Sequence, residues 1–302
     1  MKRTAREPSA GPAESMHLDE FDFEVSGLPR RQLDSRPEQL PHLSFSADQS
    51  PNCASDGLII AGIPIANFTE DEAVARIDDL ISLGGSHFGA VVNAAKVVAA
   101  AREPELKRAL IDADFVTADG MSVVWAARLL GRPLKQRVTG IDLFERLLAH
   151  AEEQGLSVYF LGAREDSVHG AVEFSKRRHP SLRIAGYHNG YFEESENEFV
   201  CDGIMRSCAD LLFVAMGSPK QELWIASNIL ATGVRFALGV GGSFDHLGGQ
   251  VRRAPRWMQT SGLEWLHRFV QEPTRLWRRY LIGNSAFTLL IIKQLLGGRS
   301  SQ

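Results

Sequence analysis

From Leu58 to Val240 the chain alternates between short apolar runs and stretches of helical period. The runs are Phe88–Val92, Phe115–Thr117, Val158–Leu161, Ile184-Ala185, Leu211–Ala215 and Val234–Val240. Successive residues in them are apolar, so neither face of such a strand can be left to water. Helices between them supply the cover. The pattern predicts an α/β fold, a Rossmann-like and mainly parallel sheet with helices on both faces. A chain of 302 residues with 44% hydrophobic and 23% charged residues can build the core that this requires. The same figures exclude a disordered chain, a collagen-like repeat and a multi-span membrane protein. Three cysteines, Cys53, Cys201 and Cys208, form no C-x-x-C pair. They cannot make a disulfide framework and fit a reducing compartment.

The pattern has clear limits. Residues 1–56 hold 6 of the 13 prolines and no sustained periodicity, and read as a disordered leader. Met1-Lys2-Arg3 is basic, but no apolar run follows it, so it is not a secretory signal. Residues 57–251 form the α/β domain. It opens on a hairpin, Leu58-Ile59-Ile60 and Ile63-Pro64-Ile65 joined through Gly62. Thr69-Glu70-Asp71-Glu72 is a capping box for a helix that buries Val74, Ile77, Leu80 and Ile81. After Gly249 the alternation stops, and residues 252–302 read as a helical appendage: Gly262–Gln271, Pro273–Ile282 and Ser285–Leu296.

Charge follows the same boundaries. The net charge of −4 averages a leader with 6 basic and 10 acidic residues, a domain with 18 and 25, and an appendage with 9 and 2. The basic appendage points to an anionic partner. Trp277 and Tyr280 interleave with Arg278 and Arg279, a mixture suited to a lipid headgroup region. The apolar run Leu281–Ile292 is too short to cross a bilayer as a helix and fits an interfacial helix or one packed on a partner subunit. Nucleic acid is disfavoured, because the rest of the chain is acidic and carries no nucleic-acid motif.

In a parallel sheet, ligands bind at the carboxyl ends of the strands. Here those ends carry Asn93, Asp119-Gly120, Gly162, Gly217-Ser218-Pro219-Lys220-Gln221 and Gly239-Val240-Gly241-Gly242. Glycine lets a ligand approach the backbone, and a following helix N-terminus favours phosphate. Phe244 stands where a dinucleotide fingerprint needs its third glycine, and no phosphate-binding G-x-x-x-x-G-K-[ST] loop occurs. A mononucleotide or sugar nucleotide remains. Asp112-Ala113-Asp114 resembles a metal–nucleotide D-x-D, but it precedes its strand and reads as a polar turn. Asp119 lies at the other end, as a general base or a helix cap. Nine scattered histidines give no metal pattern, and Ser243 lies in no G-x-S-x-G. Cys201 and Cys208 read as small buried side chains.

Val92-Asn93-Ala94, Thr117-Ala118-Asp119-Gly120-Met121 and Arg137-Val138-Thr139-Gly140-Ile141-Asp142-Leu143 carry a family resemblance. So do Tyr159-Phe160-Leu161-Gly162, Gly190-Tyr191-Phe192, Met216-Gly217-Ser218-Pro219-Lys220-Gln221-Glu222, Gly239–Asp245, Arg253-Ala254-Pro255 and Gly262–Leu266. In this order they resemble the WecG/TagA/CpsF glycosyltransferase family, over about residues 57–283.

The resemblance implies a GT-E type fold and a hexosyltransferase. Such an enzyme moves sugar from a UDP-sugar donor to a polyprenyl-diphosphate-linked acceptor, with inversion, in exopolysaccharide or cell-envelope polymer synthesis. It implies Asp119 as general base and Arg137 as the group that stabilises the departing diphosphate. Asn93 and Gln221 are similar to donor-sugar contacts. Tyr191 and Asp245 are similar to uracil and ribose contacts, and Gly162, Gly217, Lys220, Gly239 and Gly241 complete the implied nucleotide site. Arg268, Arg275 and Arg278 match arginines implied to contact acceptor or membrane. The implied setting is peripheral, at the cytoplasmic face of the bacterial inner membrane, without cofactor or metal and with a homo-oligomer admitted. Implied donors are N-acetylmannosamine, its uronic acid and glucose. Many members carry Thr two residues before the Asn; Val91 here removes that hydroxyl and leans the donor toward glucose. Two other classes stay open: a catalytically inactive nucleotide-binding scaffold, and a nicotinamide oxidoreductase, which the missing third glycine disfavours.

Overall fold

The computed structural model describes residues 57–250, 254–255, 257–258, 264–271 and 273–298. The leader at 1–56 lies outside the described residues. A two-stranded antiparallel hairpin, β1 (Leu58–Ile60) and β2 (Ile63–Ile65), precedes a six-stranded parallel sheet. The strands of that sheet are β3 (His87–Val92), β4 (Phe115–Ala118), β5 (Ser157–Gly162), β6 (Arg183–His188), β7 (Leu211–Ala215) and β8 (Phe236–Gly239). They lie in the order β4-β3-β8-β7-β5-β6. The hairpin extends beyond the β4 edge, where the Ala66 N–H donates to the Val116 carbonyl at 2.8 Å.

Alternate residues of each strand enter opposite cores, the period of two that a pleated strand imposes. Val91, Phe115, Phe160, Phe213, Phe236 and Leu238 face one core. It is covered by α1 (Glu70–Leu83), α5 (Gly140–Gln154), α6 (Glu165–Arg178) and the short α9 (Ser243–Leu247). Ala90, Val92, Val116 and Ala118 face the other side, under α2 (Ala94–Ala100), α3 (Pro104–Asp112), α4 (Met121–Leu129) and the hairpin. Tyr159, Leu161, Leu212, Val214 and Ala237 pack under α7 (Asn197–Ser207) and α8 (Lys220–Thr232). Burial pushes the Tyr159 hydroxyl up to about 12. Its ring lies where a side chain at Gly186 of β6 would begin, 2.7 Å from the position of a Cβ there.

The capping box forms as predicted: Thr69 Oγ1 accepts from the Glu72 N–H, and Glu72 Oε2 accepts from the Thr69 N–H. Several expectations need correction. Helix α3 was not anticipated; its Glu103 N-cap makes no side-chain bond, and only Leu106, Ala109 and Leu110 are buried along it. Residues 194–207 are a 3-10 turn, Glu194–Glu196, followed by α7. Cys201 is buried, but Cys208 is exposed because the chain leaves α7 there in a left-handed turn with φ of 52°.

After α9, the described residues include two further helices, α10 (Glu264–Gln271) and α11 (Pro273–Gly298). The sequence predicts a break within the second, between Ile282 and Ser285. The helix instead runs through Gly283 and Asn284, and Thr288 Oγ1 bonds back to the Asn284 carbonyl at 2.9 Å. Its far half packs along α2. Phe287 and Ile291 are buried in the core beneath the hairpin, and Gln294 bridges the Ile59 carbonyl and the Ala61 N–H. The apolar run therefore gives one stripe to the chain's own body. Among the described residues, no helix is long and apolar enough to cross a membrane.

Phe287→Ala is expected to lower stability by about 3–5 kcal/mol in denaturant unfolding, because it empties a buried site. Leu289→Ala, on the exposed side of the same helix, is expected to stay within about 0.5 kcal/mol. Equal effects of the two would show that α11 does not dock as described.

Candidate active site at the carboxyl edge of the sheet

Two backbone hydrogen bonds bring three of the expected residues together. The Asp119 N–H donates to the Val92 carbonyl at 2.9 Å, which seats Asp119 beside Asn93. The Val138 N–H donates to the Ala118 carbonyl at 3.0 Å, which seats Arg137 next to Asp119 on the other side. Gly120 permits the approach, since a Cβ there would stand 3.2 Å from Asn93 Cβ. Gly120, not Asp119, is the N-cap of α4, and no side chain caps that helix. The segment after Arg137 is shaped locally. Thr139 caps α5, accepting from the Asp142 N–H and donating to Asp142 Oδ2 at 2.6 Å.

Arg137 is mostly buried, and its guanidinium lies 3.6 Å from the Glu264 carboxylate at the start of α10. The second helix-rich segment thus reaches the strand-end site through a carboxylate. In the sequence Glu264 falls within the Gly262–Leu266 motif and shows no role of its own.

A buried ion pair joins this cluster to the next strand. Lys96 Nζ donates to Glu222 Oε1 and to the Val91 carbonyl, each at 2.6 Å. The two side chains are 8% and 4% exposed. The Lys96 N–H donates to Asn93 Oδ1, which caps α2. On the other side Gln221 Nε2 donates to Glu222 Oε1 at 2.8 Å, and Gln221 Oε1 accepts from the Gly241 N–H at 3.1 Å. Glu222 Oε2 is buried without a hydrogen-bond partner. A continuous polar chain thus ties the ends of β3, β7 and β8: Asn93, Lys96, Glu222, Gln221, Gly241. Gly239 makes room for it, because a Cβ there would fall 2.5 Å from Gln221 Nε2. Neither Lys96 nor Glu222 was anticipated. The available signal was a single lysine in the otherwise apolar Ala94–Ala101.

The ends of β5, β6 and β7 carry the remaining expected residues. Gly162 has φ of 126°, and a Cβ there would sit 2.6 Å from the Ala215 backbone, so only glycine fits. Gly190 packs against it, its N–H donating to the Ala163 carbonyl at 2.9 Å. Lys220 Nζ donates to the Gly190 carbonyl at 3.2 Å and lies over the Phe192 ring, 5.4 Å from its centre. Tyr191 is 77% exposed, so it is not a core residue beside Phe192. The Gly217 carbonyl accepts from the Gln221 N–H at 2.9 Å. Asp245, half-buried on α9, follows the Gly239–Gly242 turn.

Other expectations resolve away from this edge. Asp114 is structural, accepting from the His87 ring and the Phe88 N–H, while Asp112 pairs with Arg108. Val91 points into the core. The side chains of Arg268, Arg275 and Arg278 lie outside the described residues. A cleft of about 290 Å³ between α1, α5 and α6, lined by Glu70, Glu145, Arg146 and His179 among others, includes none of the expected site residues. Among the described residues, no three His, Cys, Asp or Glu side chains gather in a way that could hold a metal ion.

Removing one member of a buried pair strands the other charge. Lys96→Met is expected to cost about 3–5 kcal/mol in denaturant unfolding, and adding Glu222→Gln should restore much of that. A double variant as unstable as the two single losses summed would mean that the two groups are not coupled.

The chain from residue 58 to residue 301 matches the model of the glycosyl transferase WecG/TagA/CpsF family. It is 39% identical over 182 residues to an N-acetylglucosaminyldiphosphoundecaprenol N-acetyl-beta-D-mannosaminyltransferase of Bacillus spizizenii, covering 60% of this chain and 70% of that protein. A protein of the same name from Bacillus subtilis is 35% identical over 200 residues, covering 66% of this chain and 77% of its own length. With strand ends, motif order and family model in agreement, the chain belongs to the WecG/TagA/CpsF family of glycosyltransferases.

Proposed function

We infer that this chain transfers a hexose from a UDP-sugar to a lipid-diphosphate-linked saccharide in cell-envelope polymer synthesis, inverting the anomeric centre. The observation that carries the reading is the alignment of Asn93, Asp119 and Arg137 by the two backbone bonds that flank Ala118-Asp119. An acid–base group and a cation side by side at a parallel-sheet edge suit the chemistry. As the acceptor hydroxyl attacks C1, Asp119 takes its proton. The C1–O bond breaks, and UDP leaves with the bonding pair. Arg137 offsets the charge that grows on the diphosphate. Asn93 keeps its Nδ2 group for a sugar hydroxyl, since its Oδ1 caps α2. Gln221 is nearly fully buried, with both ends of its amide engaged, and serves the donor site by fixing Gly241. Exposed Tyr191 offers an aromatic face to the uracil, beside the Gly162–Gly190 contact that leaves room for a close ligand.

The proposed acceptor follows the names of both relatives, an undecaprenyl-diphosphate-linked N-acetylglucosamine. Those names also support N-acetylmannosamine as the transferred sugar. Glucose, the donor toward which Val91 leans the sequence, loses that support, because the Val91 side chain lies in the core. The proposed setting is the cytoplasmic face of the bacterial inner membrane.

A panel of UDP-sugars with a polyprenyl-diphosphate acceptor tests the reading through UDP release. One donor should dominate; UDP binding without turnover on any donor would favour the inactive scaffold. Asp119→Asn should lower kcat by at least about a hundredfold with UDP affinity kept, the scale of a lost general base. Full activity in that variant would remove Asp119 from the role. Turnover is also expected to persist in excess EDTA; loss on chelation that a divalent ion restores would assign the counter-charge to a metal.

A further inference from the structure

Helix α4 starts two residues after Asp119 and carries an outward face that the proposed reaction does not use. Trp125 and Leu129, four apart and so on one side of the helix, are 55% and 61% exposed. The opposite side, Val123, Val124, Ala126 and Ala127, is buried. Large apolar groups held in water over a well-packed helix mark a contact surface. The face does not end at α4. Helix α4 packs against β1, Arg132 Nη1 donates to the Gly57 carbonyl at 3.3 Å, and Ile59 of β1 is exposed. Beyond β1, Gln294 of α11 clasps the same hairpin, and Leu296 is exposed two residues on. Four exposed apolar side chains therefore lie on three adjoining elements, at the β4 edge of the sheet.

Charge decides what covers them. Between Asp119 and Asp142 the chain has Arg128, Arg132, Lys135 and Arg137 and no acidic residue, within a domain that is acidic as a whole. Arg128 lies on the exposed face between Trp125 and Leu129, and its side chain has no hydrogen-bond or ion-pair partner among the described residues. A second copy docking through the same face would bring Arg128 and Arg132 of both copies together. An anionic bilayer surface meets both demands, taking the indole and leucine at headgroup depth and pairing the guanidinium groups with lipid phosphates.

We propose that the outer face of α4, with Ile59 and, from the end of the appendage, Leu296 beside it, is a docking surface for an anionic lipid bilayer, distinct from the arginines of the basic appendage. This rests on the reading that the acceptor is lipid-linked, and it adds where the α/β body itself meets the membrane. The helix that begins beside Asp119 then lies against the surface that holds the acceptor.

Co-sedimentation of the full chain with phosphatidylethanolamine–phosphatidylglycerol vesicles, against phosphatidylcholine vesicles, tests this without need of turnover. Trp125→Ser/Leu129→Ser is expected to weaken partitioning onto the anionic vesicles by about tenfold or more. Arg128→Gln should weaken it about fivefold there and leave the phosphatidylcholine result unchanged. Thermal melting should be unaltered in both, as befits exposed positions. Release of UDP with a short-chain, water-soluble acceptor should be unaltered too, so a wrong reading of the reaction would appear separately from a wrong docking face. Unchanged vesicle binding in the double variant would overturn the proposal. So would concentration-dependent dimers of the native chain that the double variant abolishes, because a second copy would then be the occupant.

Discussion

A lysine and a glutamate, both withdrawn from water, set the height at which three strands end. Burying two charges is costly, and an apolar pair of the same volume would often be as stable or more so. What Lys96 and Glu222 supply that an apolar pair could not is directional bonding. Lys96 holds the Val91 carbonyl, and Glu222 holds the Gln221 amide, which in turn holds Gly241. The loop after β8 is thereby positioned from β3, its neighbour in the sheet, where Gly89 pairs with Leu238. Asn93 belongs to the same chain of bonds through the Lys96 N–H, so the proposed donor side and the proposed proton-transfer side share one support.

The sheet was legible because its strands are buried on both faces, and a run such as Leu211–Ala215 has no other stable environment. Its strand ends were legible for the same reason: once the strands are placed, Asn93, Asp119 and Gly239 follow. Helix α3 was not, since three buried residues and an uncapped start leave little periodic signal. The break expected near Asn284 failed because tertiary packing by Phe287 and Ile291 outweighs the poor helix propensity of Gly283 and Asn284. Lys96 and Glu222 escaped notice because their partnership is between helices that follow different strands. Sequence pattern reports what a segment needs, and a single lysine in an apolar helix signals a missing partner without naming it. The motif containing Arg137 was legible as a unit, yet half of it, Thr139 and Asp142, is helix capping.

The distribution of charge gains meaning from the fold. The acidic first turn of α1 meets part of the basic run from Arg128 to Arg137. Lys135 is neutralised by Glu72 at 2.8 Å, and Arg137 faces Glu264. Arg128 is left to the outside. Net charge conceals this sorting, because a sum does not distinguish charges that meet in space from one left on the surface.

The docking of α11 has a mechanical consequence. Its far end is fixed by Phe287, Ile291 and the Gln294 clasp, while α10, just before it in the chain, presents Glu264 to Arg137. An arm tethered only at its root could swing clear of the site. This one is pinned beyond the site as well, so the segment that presents Glu264 is anchored on its far side to the body that carries Arg137.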